Sequence, residues 1–201
     1  MELTSFEKAN LYTALHTYLS WLAGGEGEPP VEILNLFESL GVVLPRKASG
    51  ETAEYVRGFR AGVCRTDLNP AARASLPNHL AAFYNMAGYS TDEPADSILT
   101  MTAFAARLAI DTYTAHIKDD GSAERLERLL HRFLNTHLIP TLTHFKPPEK
   151  EVADAIEEIT QLVVEDMRCL AARLSRQTLP RATASTALAP SDGRPRGQET
   201  A

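Results

Sequence analysis

The chain has 201 residues, 44% of them hydrophobic, with a net charge of −6, which suits one globular domain with a true core. The residues from Gln177 onward net +1 and leave −7 on the body; an acidic body excludes phosphate-driven nucleic-acid binding, which needs a basic surface, and fits either plain solubility or a cationic peptide partner. Two distant cysteines, Cys64 and Cys169, exclude a disulfide framework or zinc finger and set a reducing cytosol as the expectation.

Helical periodicity dominates the chain from its start. Residues 1–7 lack a basic n-region and no apolar run reaches the ~18 residues of a membrane span, so a cytoplasmic protein without membrane insertion is expected. The first helix is predicted over 5–23, with Leu11, Leu15, Tyr18 and Leu22 on one stripe and Gly24, Gly25 and Gly27 as its stop. Pro29 and Pro30 suit the first turn of a second helix that ends at Gly41. A third is predicted over 51–63, weakened by Gly58 and Gly62. Asn69 caps the next, a single helix or a pair around Pro77, which stops at Gly88. The longest central helix spans 95–117, and Ser122 caps a helix that Pro140 ends or kinks. A last helix over 149–176 carries a near-heptad seam of Val152, Ile156, Ile159, Val163, Met167, Leu170 and Leu174. Its acidic residues, Glu149 to Asp166, sit opposite that seam as a solvated face or a partner surface. No period-2 segment of useful length occurs. The expectation is all-α, a single-domain antiparallel helical bundle over 1–176, with a disordered tail over 177–201 that is rich in Thr, Ala, Ser and Pro.

Motifs for chemistry are absent. The six histidines show no Glu-x-x-His or His-Glu-x-x-His spacing, so buried or capping roles are expected rather than metal ligation. Gly24-Gly25-Glu26-Gly27 lacks the Lys-Ser/Thr of a phosphate loop and follows a helix, and no Gly-x-Ser-x-Gly elbow exists. Cys64 has Arg57, Arg60 and Arg65 nearby in sequence, which leaves either an inert buried thiol or an activated one. No catalytic residue and no resident metal is expected.

Three short blocks carry more. In Glu54-Tyr55-Val56-Arg57-Gly58-Phe59, Tyr55 and Phe59 share a helix face, giving either a core pair or an aromatic dock rimmed by Glu54. In Phe83-Tyr84-Asn85-Met86-Ala87-Gly88, followed by Glu93-Pro94-Ala95-Asp96-Ser97-Ile98, Pro94 pre-sets a helix start. Glu93 and Asp96 put charge at that N-terminus, as caps alone or as a binding loop. In Phe133-x3-His137-Leu138-Ile139-Pro140, His137 either donates to a helix-end carbonyl or meets a peptide.

In this order the blocks resemble the TorD/DmsD/NarJ family of redox-enzyme maturation chaperones, over about residues 50–145. The departures are Gly58 for the family's Leu, Ser97 for its His, Met101 for a common Glu and Thr141 for its Trp. Its Pro-Tyr-Glu-Ser-Val-Tyr loop has no counterpart in Cys64–Pro70, and together these point toward the NarJ-like or type II DMSO-reductase branch. The resemblance implies a non-enzymatic cytoplasmic chaperone. Its partner is the N-terminal or twin-arginine leader of a molybdopterin oxidoreductase's catalytic subunit, held during cofactor insertion and before export. It implies no permanently bound cofactor, transient contact with the client's molybdopterin cofactor being left open, and a monomer or a domain-swapped dimer. The implied peptide-binding residues are Glu54, Tyr55, Arg57, Phe59, Tyr84, Glu93, Pro94, Asp96 and His137. Two other classes stay open: a helical small-ligand enzyme or sensor using His16, His79 or His131, and an assembly partner using the acidic last helix.

Overall fold

The structure, a computed structural model, describes residues 2–24 and 27–178. It is all-α: among the described residues the only β pairing is an isolated bridge between Arg60 and Ser97. No helix among them is long and apolar enough to cross a membrane.

Helix α1 (Ser5–Leu22) starts at a capping box. The Thr4 hydroxyl accepts from Glu7 N–H at 3.2 Å, and the Glu7 carboxylate accepts from Thr4 N–H at 2.7 Å. Its stripe of Leu11, Tyr12, Leu15, Tyr18, Leu19 and Leu22 is buried. Helix α2 (Val31–Ser39) begins one step beyond the proline pair, with Pro30 as its cap rather than inside its first turn. Gly41, at φ +83°, closes it, with Val42 N–H bonded back to Phe37 O at 2.9 Å.

The single helix expected over 51–63 is two. Helix α3 (Gly50–Gly58) ends, Phe59 and Arg60 are extended, and a short α4 (Ala61–Cys64) follows. The break has a tertiary cause. Arg60 pairs with Ser97, and Ala61 N–H donates to Asp96 O at 2.9 Å, so the chain leaves the helix to bond a distant loop. Helix α5 (Pro70–Met86) is continuous through Pro77. Proline cannot donate to the carbonyl of Arg73 four residues back, and that carbonyl lies beside Gly62, where a Cβ would stand 3.0 Å from it and 3.0 Å from Asp96 Oδ2.

The central helix α6 (Ile98–Lys118) starts three residues later than expected, because Pro94–Ser97 form a turn closed by Ser97 N–H to Pro94 O at 3.0 Å. Asp119, at φ +49°, ends it. Ser122 does not cap α7 (Ala123–Phe133) with its side chain; its hydroxyl donates to Asp120 at 2.6 Å. Pro140 does not end the run. A π turn over Leu134–Leu138 absorbs the register change, and α8 (Ile139–His144) continues. Helix α9 (Lys150–Thr178) carries the expected seam inward, with Val152, Ile156, Ile159, Val163, Leu170 and Leu174 buried. It runs two residues past the expected boundary at 176; the rest of the expected disordered tail lies outside the described residues.

Helix α6 is the centre of the bundle. It packs against α1 and α7, and α9 covers α7 and α8. Phe83, Tyr84, Phe104 and Phe133 bring α5, α6 and α7 together, with the Phe104 and Phe133 rings edge-on at 4.8 Å. Two expected surface carboxylates belong to this packing. Asp166 is buried against α1, and Glu149 accepts from Ser49 N–H and from Thr52 Oγ1 at 2.8 Å, which holds its carboxyl below the ordinary range.

Candidate functional site

The loop after α5 is pinned at three points. Gly88, at φ +70°, turns the chain, and Tyr89 N–H bonds back to Tyr84 O at 3.0 Å. The Tyr84 hydroxyl donates to Ala95 O at 2.8 Å. Asp96, 2% exposed, accepts from Arg60 Nε at 2.8 Å and from Gly62 N–H at 3.1 Å. Between these anchors Thr91 to Pro94 stay exposed.

This pinned loop is one wall of an open groove of about 510 Å³. The other walls are the first turns of α6, through Leu99 and Ala103, the second half of α1, through His16 and Ser20, and the corner between α3 and α4, through Arg57 and Arg60. Leu99, Ala103 and Pro94 give it apolar surface, and Tyr89 an aromatic flank. Its charged members are Glu93 on one side and Arg57 and Arg60 on the other, with Arg60 already paired to Asp96. The edge is therefore mixed in charge rather than all carboxylate.

Of the nine residues implied as peptide-binding, Arg57, Glu93 and Pro94 line the groove. The others do not. Asp96 lies beneath it as a brace, and Tyr84 is 2% exposed and works through its hydroxyl. Tyr55 and Phe59 are not an exposed dock: their rings pack on Phe145 at 5.4 and 4.9 Å, Phe59 is buried, and the Tyr55 hydroxyl accepts from Lys146 N–H. The segment joining α8 to α9 covers the face that the aromatic pair shares. Glu54 is exposed on α3 but away from the groove lining.

His137 is 2% exposed, and neither ring nitrogen has a hydrogen-bond partner. The helix-end carbonyl is met instead by His144, whose Nδ1 stands 2.8 Å from Pro140 O. The His137 ring packs among Phe83, Phe133 and His79. Burial, helped by the charges of His79, Arg65 and Arg132, pushes its pKa down to about 4 from 6.5. Because the unfolded chain binds this proton first, the neutral ring's contribution is intact above about pH 6.5 and is lost as pH falls toward 4. His137→Leu is expected to remove about 1–2 kcal/mol of the stability lost between about pH 7 and pH 5, measured by urea unfolding at each pH. An unchanged slope would place the titrating group elsewhere.

His16, expected only under the small-ligand alternative, lines the same groove. Its Nδ1 stands 3.2 Å from Thr102 Oγ1, so α1 and α6 are tied together at the groove floor. Burial lowers its pKa, partly opposed by the Leu99 carbonyl, and the ring is neutral at pH 7. Nothing in the spacing of α1 signals this, because the partner lies on another helix. Among the described residues no three His, Cys, Asp or Glu side chains gather as metal ligands. Compared with family models and with curated proteins, the chain matches none.

Proposed function

We propose that the chain is a maturation chaperone of the TorD/DmsD/NarJ kind, whose groove holds the leader segment of a molybdopterin oxidoreductase's catalytic subunit. The observation that carries this reading is the convergence of the second sequence block on one place. Glu93 and Pro94 line the groove, while Tyr84, Gly88 and Asp96 hold the loop that forms its wall. A loop pinned at several points, with exposed polar tips beside an apolar floor, is a form that recognises peptides. The floor of Leu99 and Ala103 takes an apolar side chain, Glu93 takes a basic one, and Arg57 takes a peptide carbonyl or an acidic neighbour. No bond need be made or broken. The enzyme-or-sensor alternative draws on His16, His79 and His131, of which His16 lines this groove and His79 packs on His137.

Titration calorimetry with leader peptides of the client class is expected to give binding at about micromolar affinity. Glu93→Gln is expected to weaken it about fivefold, in keeping with an exposed charge pair. The same loss should follow added salt. Leader peptides that fail to bind, or that bind equally to Glu93→Gln, would overturn the assignment of this groove.

A further inference from the structure

We infer that His16 is a specificity-determining residue of the groove, a neutral imidazole that offers its Nε2 lone pair to a hydrogen-bond donor on the bound peptide and loses that lone pair on protonation. The inference rests on the reading of the groove as a peptide site and adds what that site selects.

The tautomer follows from the neighbours. Thr102 is fully buried, and its hydroxyl lies 2.9 Å from Ile98 O and 3.1 Å from Leu99 O. A hydroxyl has one hydrogen, which these helix carbonyls take. Toward His16 Nδ1 the Thr102 oxygen therefore presents a lone pair, and Nδ1 carries the N–H. Nε2 is then the acceptor of a neutral ring, and it belongs to a side chain that lines the groove.

The surrounding groups decide what it accepts from. Facing it across the groove are Glu93 and Tyr89 from the loop and Arg57 and Arg60 from the corner between α3 and α4, Arg60 being held by Asp96; α6 contributes no charged side chain to the lining, and α1 adds Ser20. Glu93 and His16 are thus two acceptors in one groove. An arginine on the peptide, with five donors and no acceptor, is the side chain that uses both. Protonation turns Nε2 into a donor and sets an imidazolium against the arginine. Affinity for an arginine-bearing peptide therefore falls on the acid side, below the ordinary histidine range, since burial holds this ring neutral longer than usual.

The experiment uses the full chain and a fluorescent synthetic peptide with two adjacent arginines ahead of an apolar segment, with anisotropy read at about pH 7.5 and about pH 5. The wild type is expected to lose affinity about fivefold over that range. His16→Gln keeps an acceptor but cannot titrate, and is expected to bind with a nearly flat profile. His16→Phe is expected to bind weakly at both pH values. A circular dichroism melt of each variant confirms that the fold is retained. Wild type and His16→Gln sharing one pH profile would overturn the role of His16 while leaving the groove as the peptide site. Failure of the wild type to bind the peptide at either pH would overturn the groove reading and this inference with it.

Discussion

Replacing Asp166 with alanine is expected to cost about 3–5 kcal/mol of folding stability, the largest loss from any single substitution considered for this chain. Its side chain is 0% exposed and stands 2.6 Å from Lys8 Nζ, itself 4% exposed. The Tyr12 hydroxyl donates to its second oxygen at 2.7 Å. Removing the carboxylate leaves an ammonium buried between α1 and α9 without its counter-ion, and the penalty is the desolvation of that charge rather than the loss of a contact. Burial and the Asp166 charge both raise the Tyr12 pKa, so the phenol stays protonated and remains a donor at ordinary pH. Urea unfolding of Asp166→Ala, Lys8→Met and the combined Lys8→Met/Asp166→Leu chain separates the terms. The single substitutions should each be severe, and the combined one should recover most of the loss, short of the unpaired Tyr12 hydroxyl. Losses that simply add would mean that the pair is not coupled in the folded chain.

The same ion pair shows where the sequence stops being informative. The seam from Val152 to Leu174 predicts which side of α9 is buried, because apolar spacing is a local property of one helix. Asp166 sits among the acidic residues that the same pattern assigns to solvent. It is inside because Lys8 and Tyr12, at the other end of the chain, meet it there. The start of α1 is legible for the opposite reason: Thr4 and Glu7 satisfy each other within one turn. The break at Phe59–Arg60 and the π turn before Pro140 are not legible as such. One is made by pairing with residues 96–97, and the other is one of several ways in which a helix can accommodate proline.

The candidate site divides along the same line. Glycine, proline and acidic residues mark 89–94 as a surface loop, and Glu93 and Pro94 do line the groove; that the loop runs on to Ser97 is not legible. Tyr55 and Phe59 do pair, their ring centroids 5.8 Å apart, although Phe59 lies just past the end of α3 rather than on its face. A spacing of four says that two side chains point the same way, not whether that way is outward, and here Phe145 covers them. His16 enters the site only when α1 is laid against α6.

Asp96→Ala is the second large effect, expected to cost about 2–4 kcal/mol and to weaken peptide binding more than Glu93→Gln does. The two effects have one origin. The carboxylate is 3% exposed and holds the Arg60 guanidinium and the Gly62 amide together, so that the corner between α3 and α4 stays joined to the loop that carries Glu93 and Pro94. Arg60, at 35% exposure, can turn to water when the partner goes, which puts the cost below that of Asp166. The Gly62 amide sits in the first turn of α4, where no carbonyl of its own helix can accept from it, so it loses its acceptor outright. Asp96→Asn keeps the shape and one acceptor but sets an amide N–H against either the guanidinium or the Gly62 N–H, and is expected to fall between alanine and wild type. Hydrogen exchange distinguishes a brace from a direct peptide contact. In Asp96→Ala without peptide, the Ala61 and Gly62 amides should lose protection while the core amides of α6 keep theirs relative to global stability. A variant that loses peptide affinity with those two amides fully protected would make Asp96 a contact residue and remove the account of the groove wall as a loop fixed from below.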